Sequence, residues 1–247
     1  MEKRVLEVCV DSVASALQAE KGGADRLELC ADLAVGGVTP TLSLYERVRE
    51  RVGIPVHVLL RPRFGDFLYG EEEFEVLRRQ ARAAREAGAD ALVIGCLTPE
   101  GRLCIEQMER LMEEAGGRPV TLHRAFDMCE NLDRALEDAK RLGIHTILTS
   151  GGQASAEEGT ETLARLQRAA GELVIMAGAG VGAGAIRNLR RDAALSAFHM
   201  SGKRIVKSRM RYRNPRVSMG LPQLSEYELW ETDAEAVRQA KEALLRD

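Results

Sequence analysis

Residues 74–96 read FEVLRRQARAAREAGADALVIGC, one complete passage from helix to strand. FEVLRRQARAAREAG spaces its apolar residues among Arg and Glu as a surface helix does. Gly88 follows Arg85 and stops it. ALVIGC is nearly all apolar, as a strand covered on both faces must be. Working outward, VHVLLR at 56–61 and LVIMAG at 173–178 read the same way, and SLYERVRERV at 43–52 and LDRALEDAKRLG at 132–143 are further amphipathic runs. The junctions Gly23-Ala24-Asp25, Gly88-Ala89-Asp90 and Gly143-Ile144-His145 each precede a strand run. The pattern predicts strands near 5–10, 24–30, 55–61, 89–95, 119–124, 145–149, 172–178 and 195–200. Ser12 and Asn131 stand where N-caps belong. Eight such units without a composition break predict a single-domain α/β fold, one closed (β/α)₈ TIM barrel over 1–247. An open doubly wound sheet is the competing arrangement. Residues 203–230 read as a long irregular loop at the C-terminal face, before a last helix near 232–245.

The 247 residues match the roughly 250 typical of such a barrel. A net charge of −3, with acids and bases interleaved, provides no overall drive toward nucleic acid or an anionic membrane. The expectation is therefore no nucleic-acid partner and no membrane partner. No apolar run is long enough for a signal peptide or a span, and the five cysteines include no tight CxxC pair. A cytoplasmic protein with reduced thiols is expected.

Barrel sites form from the loops after the strands, so each strand is read at its C-terminal end. Glu7 and Cys9 share one side of strand 1, and Glu28 and Cys30 share one side of strand 2. As neighbours, these four residues are expected within reach of one another. Two facing thiolates suit Cu(I), a redox pair or simple packing. Buried acids beside them need partners. Strand 3 ends in Arg61 and Arg63, which can pair with those acids or grip a carboxylate or phosphate. Strand 5 ends His123-Arg124-Ala125-Phe126-Asp127, where imidazole and carboxylate together suit acid–base work. Ser150 and Gly151 after strand 6, and Gly178 and Gly180 after strand 7, precede helices and suit an anion. His199 ends strand 8, and a basic run from Lys203 to Arg216 follows without an acid. It reads as a clamp for an anion or as a solvated or subunit-contacting loop. The four histidines lack HxxxH and HxH spacing, so zinc is not expected.

The segments EVCVDS, GADRLELC, GGVTP, RPRFGDFLY, HRAFD, LTSGG and FHMSG, with RYRNPRVSMG and SEYELWETD near the C-terminus, resemble the CutC family, named for copper homeostasis. The resemblance runs from residue 5 almost to the end. It implies a (β/α)₈ barrel, a cytoplasmic location and a homo-oligomer, dimer or tetramer. It also implies Cu(I) binding by Cys9 and Cys30. The competing reading is a TIM-barrel enzyme acting on a small anionic or phosphorylated metabolite. His123, Asp127 or Glu28 would then move protons, and Glu7, Arg61, Arg63, Arg124, Ser150, Gly151, Gly178, Gly180 and His199 would contact the ligand. Whether the protein is an enzyme stays open at this level.

Overall fold

All eight expected strands form inside their expected bounds in the computed structural model, which describes residues 4–219 and 224–246. They are β1 Val5–Val10, β2 Arg26–Leu29, β3 Val56–Leu59, β4 Ala91–Ile94, β5 Val120–Leu122, β6 Thr146–Thr149, β7 Val174–Ala177 and β8 Ala197–Met200. Each pairs in parallel with the next, and β8 returns to β1 to close the barrel. Seven helices connect or flank them: α1 Val13–Lys21, α2 Leu42–Arg49, α3 Glu71–Glu86, α4 Ile105–Ala115, α5 Leu132–Arg141, α6 Thr160–Ala169 and α7 Ala183–Ala193. An eighth, α8 Ala234–Leu245, ends the chain's regular structure.

Local chemistry explains the boundaries. Ser12 accepts the Ser15 N–H at 3.1 Å and Asn131 accepts that of Arg134 at 3.0 Å, so both expected caps form. Helix α3 buries Phe74, Leu77, Ala81 and Ala84 along one stripe. Strands β3, β4 and β6 are buried at every position, which is why their sequences lack polar alternation. The main core lies between barrel and helices and takes alternate residues of each strand.

The segment 203–230 is more regular than its sequence suggests. Lys203–Lys207 forms β9 and pairs antiparallel with β10, Glu228–Thr232. Cross-strand contacts offset the charge of the run: Lys203 lies 3.5 Å over the Trp230 ring, and Arg204 reaches Glu231 at 4.0 Å. The partner strand is more than twenty positions away, beyond the range of local patterning. Residues 220–223, including Gly220 of the RYRNPRVSMG segment, lie outside the described residues. Among the described residues no helix is long and apolar enough to cross a membrane.

Candidate functional site

Strand parity selects the inward residues. On β1, Leu6, Val8 and Val10 join the outer core, so Glu7 and Cys9 face the barrel axis. The same alternation turns Glu28 and Cys30 inward at β2, and Arg61, His123 and His199 inward at the ends of β3, β5 and β8. A cavity of about 310 Å³ opens among these strand ends. Cys9, Glu28, Cys30, Arg61, His123 and His199 all contribute to its wall.

The expected grouping of Glu7, Cys9, Glu28 and Cys30 divides into two layers. Glu7 is fully buried and lies behind the cavity wall rather than in it. Its carboxylate accepts from Arg26 Nε at 2.6 Å and from His199 Nδ1 at 2.8 Å, with His57 Nδ1 3.4 Å away. Burial alone would raise the Glu7 pKa, but Arg26 and the two histidines outweigh it and hold the carboxyl well below 4.5. An ionised carboxylate only accepts. His199 therefore carries its proton on Nδ1, and its Nε2 lies 3.7 Å from Glu28 Oε2.

Cys9, Glu28 and His199 each offer a ligand atom within 4.8 Å of the others, and all three are buried. His199 is held protonated well above the usual histidine range. Burial opposes this, but Cys9, Glu28 and the bond to Glu7 prevail. Burial pushes Glu28 up to about 7, offset in part by His199 and reinforced by Glu7. Glu28 Oε1 has no hydrogen-bond partner. Cys30 stands in the same wall, and its Sγ donates to the Val10 carbonyl at 3.5 Å. Burial, then the neighbouring Cys9 and Glu28, push its thiol well above its ordinary value.

The two arginines of strand 3 separate. Arg61 donates to the carbonyls of Gly37 at 3.0 Å and Gly65 at 2.6 Å. Arg63 instead pairs with Glu73 at 2.5 Å and Asp66 at 2.9 Å, away from the cavity. Neither reaches the acids of β1 and β2. Regular strand ends at Leu59, so alternation no longer places a residue four positions on.

The expected His123–Asp127 pair does not form. His123 Nδ1 accepts the Ala125 N–H at 3.1 Å, and the ring lies 4.8 Å from that of Phe67. Burial and the nearby Arg61 push its pKa down to about 3, so the ring is neutral with its proton on Nε2. A short 3₁₀ turn, Phe126–Met128, carries Asp127 toward β6. There Asp127 accepts from Thr149 Oγ1 at 2.5 Å, the Ser150 and Gly152 N–H groups at 3.0 Å and Arg124 Nε at 2.7 Å. It is a brace for the β6 turn.

Of the small residues, Gly180 lines the cavity, as does Arg124, while Ser150, Gly151 and Gly178 do not. Ser150 is fully buried and donates to the Gln153 carbonyl at 2.6 Å. Gly151 packs on Gly159, and a Cβ on Gly178 would sit 2.5 Å from Leu148 Cδ1. These glycines serve chain packing. Arg26 and His57 were not singled out from sequence, although the inward parity of Arg26 with Glu28 was a usable signal.

Residues 4–204 match the model of the CutC family. The chain is 44% identical over 241 residues to a CutC family protein of Porphyromonas gingivalis, covering 97% of each. It is 44% identical over 236 residues to the human protein named copper homeostasis protein cutC homolog, covering 95% of this chain and 86% of that one. The crystal structure of a putative copper homeostasis protein CutC from Streptococcus agalactiae superposes with a TM-score of 0.76 at 28% identity, covering 80% of this chain and 98% of that one. The chain belongs to the CutC family.

Proposed function

We propose that this protein takes part in copper homeostasis by binding Cu(I) as its cargo at the barrel mouth, with Cys9 and Cys30 as thiolate ligands and His199 Nε2 beside them. Relatives at this level of identity include one named for copper homeostasis. The observation that carries the reading is the convergence of Cys9 and His199 within 4.8 Å, with Glu7 behind the histidine. Thiolate and imidazole are donors Cu(I) accepts. A carboxylate on the far ring nitrogen is the support metal-binding histidines ordinarily have. Cu(I) titration of reduced protein against a strong chelator is the test. Wild type is expected to take up one Cu(I) per chain. Cys9→Ser/Cys30→Ser is expected to lose at least about 100-fold in affinity, at the upper end of or beyond what loss of a supporting group costs. Equal uptake by both proteins would overturn the ligand set.

We also place the protein in the cytoplasm as a homo-oligomer, dimer or tetramer. All five cysteines are free, which suits a reducing compartment. The hairpin and its connection expose Ile205, Met210, Tyr212 and Leu229, each at least half accessible, as an interface does. Wild type is expected to run as an oligomer in light scattering and Ile205→Glu/Tyr212→Glu as a monomer. An oligomer unchanged in the variant would move the interface elsewhere.

A further inference from the structure

The cavity holds more than an ion requires, and its charge is unbalanced. Arg61 is buried in the wall, and among the described residues no carboxylate pairs with it. Two of its nitrogens donate to backbone carbonyls, which neutralise no charge, and its Nε has no partner. The Tyr69 hydroxyl beside it is within reach of the guanidinium but is neutral and balances no charge. Lys203 adds a second cation to the wall, Arg124 being paired with Asp127, and among the described residues Glu28 is its one acid. A buried cation without a counter-charge is costly unless something supplies one.

His123 adds a donor. Its Nδ1 is occupied by the Ala125 N–H, so the neutral ring keeps its proton on Nε2. That atom is buried and has no partner, and the His123 side chain is part of the cavity wall. The ring of Phe67 holds both groups, 4.8 Å from the His123 ring and 5.0 Å from the Arg61 guanidinium carbon. Gly95 makes room, because a Cβ there would lie 2.5 Å from His123 Cε1. Two unsatisfied donors, one of them cationic, thus stand at the ends of β3 and β5, apart from β1 and β8, which carry Cys9 and His199.

We propose that the Arg61–His123 wall binds the anionic end of a small organic molecule, a carboxylate or a phosphate monoester. This is a second ligand site, independent of Cu(I). Arg61 supplies the counter-charge and His123 Nε2–H a directional donor. The rest of such a molecule would reach toward Glu28 and His199.

The test is calorimetric titration of full-length, reduced, chelator-treated protein with malonate and, separately, glycerol 3-phosphate, with ionic strength matched by chloride. At least one is expected to bind saturably, one per chain, with Kd below about 1 mM. The arm that binds identifies the anion. His123→Phe keeps the stack on Phe67 and removes the donor, and it is expected to weaken binding at least about tenfold. Arg61→Gln is expected to weaken it further, and if that variant misfolds, His123→Phe carries the test. Binding by the chelator-treated, metal-free protein separates this site from the copper reading. No saturable binding in either arm, or unchanged affinity in folded His123→Phe, would overturn the proposal.

Discussion

Arg26→Met is expected to destabilise the protein by about 3–5 kcal/mol at neutral pH, the usual cost of stranding one member of a buried ion pair. Glu7 is fully buried and Arg26 is its strongest stabilising neighbour. Met replaces the apolar stem of the lost side chain but donates nothing. The sign with pH follows from the carboxylate. In wild type the Glu7 pKa lies below 4.5, so its contribution is present above that value and is lost as pH falls. In the variant the main counter-charge is gone and burial raises the pKa instead. The variant's deficit should therefore be largest near pH 7 and shrink toward pH 4, where protonation removes the stranded charge. Chemical denaturation at both pH values measures this. Glu7→Gln/Arg26→Met should recover much of the loss. A neutral-pH deficit under about 1 kcal/mol would show that the pair behaves as a solvated one.

Cu(I) affinity is expected to rise steeply with pH, by at least about 100-fold per unit between pH 6 and 8, because Cys30 and His199, at the least, must each give up a proton. Burial and the nearby Cys9 and Glu28 keep Cys30 a thiol well past neutrality. His199 is held protonated by Cys9, Glu28 and Glu7 against the effect of burial. Cu(I) therefore competes with protons across this whole window, and raising pH removes the competitor. Glu7 should keep the proton on Nδ1 in both states, so only Nε2 is vacated. Competition titrations at pH 6, 7 and 8, corrected for the chelator's own protonation, measure the slope. A flat profile would overturn the proposed ligand set.

The barrel was legible because both of its signals are local. Apolar strand runs, Gly-terminated helices and capping side chains depend on neighbours a few positions away. Cys9, Glu28, Cys30, Arg61, His123 and His199 were placed at the mouth by the same reasoning, since alternation follows from strand geometry. It failed where regular backbone stopped. Arg63 lies beyond the end of β3, and Asp127 sits in a 3₁₀ turn, so neither obeys the parity of its strand. Ser150, Gly151 and Gly178 look like ligand glycines and serines, but they are consumed by packing between consecutive turns.

Sequence alone was enough for the eight-unit barrel and the inward thiols at its C-terminal mouth, because periodicity and chain order are properties of short segments. The charge states and pairings needed the closed fold. Glu7 meets His199 across 192 positions only because β8 returns to pair with β1, and Arg26 joins them because β2 flanks the same strand. The neighbours that keep Glu7 ionised, and the dry environment that lifts Glu28 to about 7 and leaves His123 uncharged, come together only once all eight strands have closed.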